Sequence, residues 1–372
     1  MEKYDIAAYI WPAYTGDEGR SRIFWPEGYG EWETVKAAKA QYKGHEWPRK
    51  PLWGYCNEAD PYVMEMQIEA AVDHGVNVFI YDWYWYDDRP FLEQCLNNGF
   101  LQAKNRSKMK FYLMWANHDV PYGWDRRISE LDEETIVWKG AVTSEQFHKI
   151  GLRWLEKYFH LPEYYCIDNR PVLSIYDLQN LIDGLGGIEN AKKEMEWLDE
   201  EAKKHGFAGM HYQLVKFGIV KTNLSGFDGG ERVFKPQELM AYLPFSSLTH
   251  YQFAHFAPMN TDYEKIMERV QEEWLECENK FFIPYFPHIS IGWDNTPRYS
   301  GHIENVVKNN SPEAFEKALR QAKALADETG VNLITINSWN EWTETSYLQP
   351  DDRFGYGYLN AVKKVFGDKQ IF

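Results

Sequence analysis

Eight short apolar runs constrain this chain more than any other feature. They cover residues 5–10, 77–81, 110–114, 171–175, 210–215, 247–251, 281–286 and 331–336. Helical patterns at 61–75, 188–206 and 312–330 separate several of them, and each closes on a glycine, the usual C-terminal stop. Pro61 and Pro312 stand where a first helical turn tolerates proline, the latter behind Ser311 as an N-cap. Strands alternating with helices predict an α/β fold with a parallel sheet. A count of eight favours a closed (β/α)8 TIM barrel over an open doubly wound sheet. No GxGxxG or GxxxxGK(S/T) loop follows any run, which argues against dinucleotide and P-loop folds. With no linker or internal repeat, the expectation is a single domain over 1–372, with long βα loops at 11–60 and 116–145 walling a cleft.

A formal charge of −16 argues against nucleic acid or an anionic membrane as a main partner. No apolar run approaches the ~18 residues of a membrane span, so no membrane insertion is expected. The N-terminus enters an apolar strand almost at once without a signal-peptide pattern, and a cytoplasmic location is expected. Cys56, Cys95, Cys166 and Cys277 show no CxxC spacing and read as small buried thiols. The aromatic content is the unusual figure, with 16 Trp, 25 Tyr and 21 Phe, many beside polar residues. Such side chains suit sugar rings, whose C–H faces stack while their hydroxyls hydrogen-bond, although a large aromatic core reads the same way by composition alone.

In a barrel the C-terminal ends of the strands share one face, where catalytic side chains gather. The polar–aromatic clusters all follow apolar runs and so fall on that face. The last run delivers the chain into "SWNEWTETSYLQP", with Trp339, Asn340, Glu341, Trp342 and Glu344 within six positions. A helical turn there would put Glu341 and Glu344 on one side, and glycoside chemistry needs two carboxyl groups. Repulsion and partial burial between tryptophans would raise one pKa, as a general acid requires. Read structurally, Glu344 caps a helix and Glu341 is a surface charge.

"GWDNTPR" at 292–298 offers Trp293 to stack on a sugar, Asp294 to grip hydroxyls and Arg298 to pair with either acid; it also reads as a turn. Asp82, Trp83 and Tyr84 after the second run could wall a sugar site, Trp115, Asn117 and His118 follow the third, and His250 and Tyr251 end the sixth. His118 and His250 read equally as ligand contacts or as packed core histidines. No HxH or HExxH spacing supports a metal, no GxSxG elbow supports a serine hydrolase, and no cofactor is expected.

These motifs resemble the WbsX-like family, described as polysaccharide-biosynthesis glycosyltransferases and related to glycoside hydrolase family 99. The resemblance rests on "GEWETVKAAKAQYKGHEWPR" (30–49), "WAN" (115–117), "GWDNTPR" and "SWNEWTETSYLQPDDRFGYGYL" (338–359) and covers nearly the whole chain. Family 99 comprises (β/α)8 endo-acting α-mannosidases and mannanases that retain anomeric configuration. The resemblance implies that Glu341 assists the sugar 2-hydroxyl toward a 1,2-anhydro intermediate and that Glu344 is the general acid/base. Two positions depart from the pattern. "WANHD" puts His118 where "WANENW" is common, and "YLQP" puts Gln349 where glutamate is usual. The catalytic pair is untouched, but the substrate contacts differ.

The expectation is a cofactor-free retaining glycoside hydrolase acting on α-linked, mannose-configured or related sugars of an oligosaccharide or polysaccharide. Asp82, Trp83, Trp115, Asn117, His118, His250, Tyr251, Trp293, Asp294, Arg298, Asn340 and Trp342 would line the cleft. Two alternatives stay open. One is a glycosyltransferase or transglycosylase of surface-polysaccharide (O-antigen-type) biosynthesis, against which the missing diphosphate site counts. The other is a non-catalytic carbohydrate-binding protein.

Overall fold

A computed structural model describes residues 3–125, 135–216, 220–223, 231–299 and 303–367. Eight parallel strands form a nearly closed barrel: β1 Asp5–Ile10, β2 Val78–Tyr86, β3 Lys110–Trp115, β4 Arg170–Ile175, β5 His211–Val215, β6 Phe245–Thr249, β7 His288–Ser290 and β8 Leu333–Asn337. Hydrogen-bonded neighbours run in the order β6-β5-β4-β3-β2-β1-β8-β7. Ala7, for example, pairs with Val78 on one side and Thr335 on the other. The last seam is joined outside a regular ladder. The Leu248 N–H donates to the Pro284 carbonyl at 2.9 Å, and the Phe286 N–H to the Leu248 carbonyl at 2.8 Å.

That seam corrects the expected seventh strand. Residues 281–286 supply only the bridge at Tyr285, and the strand itself begins at His288. Pro284 and Pro287 offer no N–H, so a continuous ladder cannot cross them. The second strand is longer than its apolar run. It continues through Tyr86 and folds back on Arg89–Phe91, so "DWYWY" is strand rather than the loop after one.

Helices cover the outside, stopped and started by local chemistry. The Asp60 side chain accepts from the Tyr62 N–H ahead of the helix Pro61–Asp73, and Ser311 accepts from the Ala314 N–H ahead of Pro312–Thr329. The latter ends on Gly330 at φ +77°, a left-handed conformation that favours glycine. The barrel interior is not purely apolar. Tyr112 donates to Gln213 at 3.1 Å, and Thr335 joins Thr249 and His288 at 2.9 Å each. These bonds offset part of the desolvation cost of placing polar groups there.

The 11–60 segment folds over the C-terminal ends of the strands. It is tied to the chain after β8 by the Leu52 N–H on the Pro350 carbonyl at 2.9 Å and the Asp352 N–H on the Lys50 carbonyl at 2.9 Å. The 116–145 loop pairs Val120–Pro121 with Ile136–Trp138; its residues 126–134 lie outside the described residues. No described helix is long and apolar enough to cross a membrane.

Candidate active site

After β8 the chain makes a tight hairpin rather than the expected helix. Asn340–Glu341 pairs antiparallel with Ser346–Tyr347 around a short 3-10 turn at Trp342–Glu344, and Thr345 takes φ +56°. Ser338 fastens its base, with Oγ accepting from the Glu341 N–H and donating to the Ser346 carbonyl, each at 2.7 Å. The Trp339 N–H reaches the Tyr9 carbonyl of β1 at 2.8 Å. The hairpin therefore hangs on two barrel strands, and the positions of its carboxylates are set by rigid elements.

Glu341 and Glu344 meet on one guanidinium. Arg298 donates through Nη2 to Glu341 Oε1 at 2.8 Å and through Nη1 to Glu344 Oε1 at 3.0 Å. Its Nε and Nη2 also hold Glu31 at 2.6 and 3.1 Å, and its face lies 5.4 Å from the centre of the Trp11 ring. Three buried carboxyl groups thus share one cation. Burial raises Glu341 well above the usual carboxylate range, the Glu344 charge adds to the rise, and Arg298 opposes it. Burial likewise pushes Glu344 up to about 7, against Arg298 and with help from Glu31. Like charges this close on one cation cannot all ionise, so the pair keeps a proton at neutral pH.

A fourth acid, Asp82, closes the group. The Tyr251 hydroxyl lies 2.9 Å from Asp82 Oδ2 and 3.2 Å from Glu341 Oε2, so its one proton serves two carboxyl groups. Burial raises Asp82 well above its ordinary value although Tyr251 opposes this. Asp82 Oδ1 and Glu344 Oε2 are buried without a partner among the described residues. Both acids line a cavity of ≈ 280 Å³. Its walls are largely aromatic, including Trp11, Tyr84, Trp124, Tyr176 and Trp293.

Of the residues singled out in the sequence, Glu341, Glu344, Asp82, His118, Tyr251, Trp293 and Arg298 line this cavity. The other seven do not. Trp83 faces away, donating to Glu93 at 2.8 Å and packing edge-on against Trp154. Trp115 packs against the same Trp154 and Phe147. Asn117 bridges the backbone of Asp177 with bonds of 2.7 and 2.8 Å. His250 is buried against Tyr285 at 2.8 Å. Asp294 turns to His45 at 2.7 Å and Trp47 at 3.2 Å. Trp342 donates to Gln349 at 2.7 Å and stacks on Tyr347.

Asn340 is a clamp. It accepts from the Trp11 N–H and donates to the Trp11 carbonyl, both at 2.8 Å, and donates to Glu58 at 2.7 Å. Gln67 and Gln349 donate to the other oxygen of Glu58, whose carboxyl burial pushes up to about 7. The sequence reading also named Tyr84, which lines the cavity, and missed Trp11, Glu31, Tyr176 and His255. Trp11 and Tyr176 stood in the clusters "WPAY" and "YDLQN" after the first and fourth strands; Glu31 is distant in sequence from every other charged group here.

Asn340→Ala is expected to lower stability by ~2–4 kcal/mol, because it leaves both Trp11 backbone groups unpaired in a buried site. Urea denaturation measures this. Turnover should fall while the alkaline limb of the pH profile stays in place, and an unchanged denaturation midpoint would refute the clamp.

Among the described residues, His250, Glu273 and Cys277 have metal-ligand spacing. Glu273 is already paired with Lys216 and with Arg269 at 2.9 Å, so the cluster's charge is met and it suits a cation poorly.

The acids and aromatic walls gather at the C-terminal ends of the barrel strands, the face where (β/α)8 enzymes carry their active sites. The model of the family described as glycosyltransferase WbsX matches residues 7–362, and the chain belongs to that family. It is 25% identical over 349 residues to the WxcX protein of Xanthomonas campestris pv. campestris (strain B100), covering 92% of this chain and 47% of that protein. The chain thus spans about half the length of the curated relatives it matches. Among solved structures it is similar to a glycoside hydrolase-like protein, with a TM-score of 0.62 and 13% identity over 99% of this chain and 95% of the other. The endo-alpha-mannosidase of glycoside hydrolase family 99 from Bacteroides thetaiotaomicron follows at a TM-score of 0.55 and 12% identity over 99% and 97%. At these identities the likeness establishes the fold.

Proposed function

We propose that the chain is a cofactor-free retaining glycoside hydrolase acting on α-linked, mannose-configured or related bonds of a polysaccharide or glycan. The observation that carries this reading is the proton-sharing pair Glu341 and Glu344, held on Arg298 at the floor of an aromatic cavity. Arg298 engages Oε1 of each acid, which leaves Glu344 Oε2 to carry the proton. In the first step Glu344 gives that proton to the leaving glycosidic oxygen. Glu341, as carboxylate, takes the proton of the sugar 2-hydroxyl while O2 attacks C1 and the C1–O bond breaks. In the second, Glu344 takes a proton from water, water opens the 1,2-anhydro ring at C1, and Glu341 returns its proton to O2. Two inversions give retention. Direct attack by Glu341 on C1 gives the same stereochemistry with the same acid.

The family's description favours a second reading, in which a sugar hydroxyl replaces water as acceptor. One measurement separates the two. Wild-type protein is expected to release a product of retained anomeric configuration from a panel of α-linked oligosaccharides, read by NMR, with no nucleotide sugar present. Turnover that begins only when a nucleotide-sugar donor is added would reverse the assignment.

A further inference from the structure

Trp293 separates the catalytic cavity from a second one of ≈ 270 Å³ that the chemistry above does not use. Tyr42 contributes a flat face there, stacked on His45 with ring centres 4.5 Å apart. Arg49 and Lys308 line the same cavity. Arg49 is 5% exposed, and Glu46, which lines the same cavity, answers its charge only through a long contact. Its Nε donates to the Glu46 carbonyl at 3.2 Å and its Nη1 to the Tyr347 hydroxyl at 3.2 Å. The nearest carboxylate oxygen, Glu46 Oε2, is 3.5 Å away and is also paired with Arg353. Asp351 reaches Arg49 only through the Tyr347 hydroxyl. A guanidinium has five N–H groups, and three of them make these bonds. The Lys308 ammonium is exposed and has no side-chain partner among the described residues. Asp294 also lines the cavity, its carboxylate held by His45, Trp47 and the Thr296 N–H.

We propose that this second cavity binds a carboxylate-bearing sugar, a uronic acid, belonging to the glycan whose bond the Glu341–Glu344 pair cleaves. Tyr42 and Trp293 take the C–H faces of its ring. The Arg49 fork and the Lys308 ammonium take its carboxylate, the fork matching a planar anion with two parallel bonds. With a formal charge of −16 the protein offers anions no general attraction, so the preference is local. The cavity also has a side. Thr345, next to Glu344, lines it, and the Asp294 N–H holds the Glu344 carbonyl at 2.8 Å. A group that protonates the leaving oxygen faces the leaving group, so the acidic sugar sits on that side of the cleaved bond. This placement rests on the hydrolase reading; the binding does not.

The test is a calorimetric titration of the full chain with trimannuronate and with neutral mannotriose, neither of which has to be turned over. Trimannuronate is expected to bind at least ~tenfold more tightly, and Lys308→Ala and Arg49→Gln each to remove ~tenfold of its affinity while leaving mannotriose unchanged. Lys308 is exposed, so its variant keeps the fold and carries the test if the Arg49 variant does not fold. Arg49→Lys keeps the charge without the fork and should recover only part of the loss. Equal affinity for the two sugars, an acid affinity that neither variant moves, or no saturable trimannuronate binding would each overturn the proposal. Absence of turnover on every glycan would count against the hydrolase and leave this titration readable.

Discussion

Glu344→Gln is expected to lower kcat on an unactivated α-linked oligosaccharide by ~10³-fold with little change in KM, the upper part of what a positioned general acid supplies. The amide keeps the bond from Arg298 and the shape of the site but carries no proton that can be given up. Because burial pushes the Glu344 carboxyl up to about 7, wild-type activity should fall as pH rises through that value and the acid form disappears. The Gln variant should lose that alkaline limb. A leaving group that needs no protonation, such as dinitrophenolate, should depart from the variant at close to the wild-type rate. Hydrolysis of the intermediate would then lag, because the same residue takes a proton from water, and a burst would result. A variant within tenfold of wild type on all substrates would remove Glu344 from the acid role.

The fold was legible because a parallel barrel writes itself as repeated apolar runs. β1 falls on its predicted run, and the other strands except the seventh overlap theirs. The seventh was misread because "FFIPYFP" is apolar, whereas the strand His288–Ser290 pairs through residues that look polar. His288 is tolerated inside because Thr335 and Ser290 satisfy both its ring nitrogens at 2.9 and 3.0 Å. Composition registers the polarity of such a residue but not its partners. The turn after β8 was misjudged for a similar reason. Glu341 and Glu344 share an arginine because Thr345 reverses the chain in a left-handed conformation, and nothing in "WTETS" announces it.

The site was half legible, and parity explains much of the rest. Side chains alternate along a strand, so a cluster at its end divides between the mouth and the outer layer. Asp82 and Tyr84 enter the cavity while Trp83 between them packs outward on Trp154. Met114 and Ala116 enter while Trp115 does not, and Tyr251 enters while His250 turns to Tyr285. Choosing the most chemically distinctive residue of each cluster ignored that alternation. Tyr84 was legible in its cluster. Glu31 was not, because the long segment after β1 carries it back over the barrel mouth, and its partner Arg298 lies 267 positions away.

Arg298→Met is expected to cost ~3–5 kcal/mol at pH 8, since it leaves Glu31, Glu341 and Glu344 buried together without their shared cation. For a chain of 372 residues, with an unfolding entropy near ~0.8 kcal/mol/K, this corresponds to a fall in Tm of about 4–6 °C. The sign of the pH dependence follows from the carboxyl groups. Both Glu341 and Glu344 stand above their ordinary values in the folded protein, and removing the guanidinium takes away the charge that opposes the rise. A carboxyl raised on folding destabilises progressively as pH climbs from its unfolded value to its folded one. The deficit should therefore be small near pH 5, where the acids are protonated, and complete above neutrality. Adding Glu31→Gln to Arg298→Met should restore part of the loss at pH 8, since it removes one of the charges left uncompensated. Paired thermal melts at the two pH values decide the matter. An equal deficit at both, untouched by Glu31→Gln, would mean that Arg298 holds the site by filling space beneath Trp11 rather than by dividing its charge among three acids.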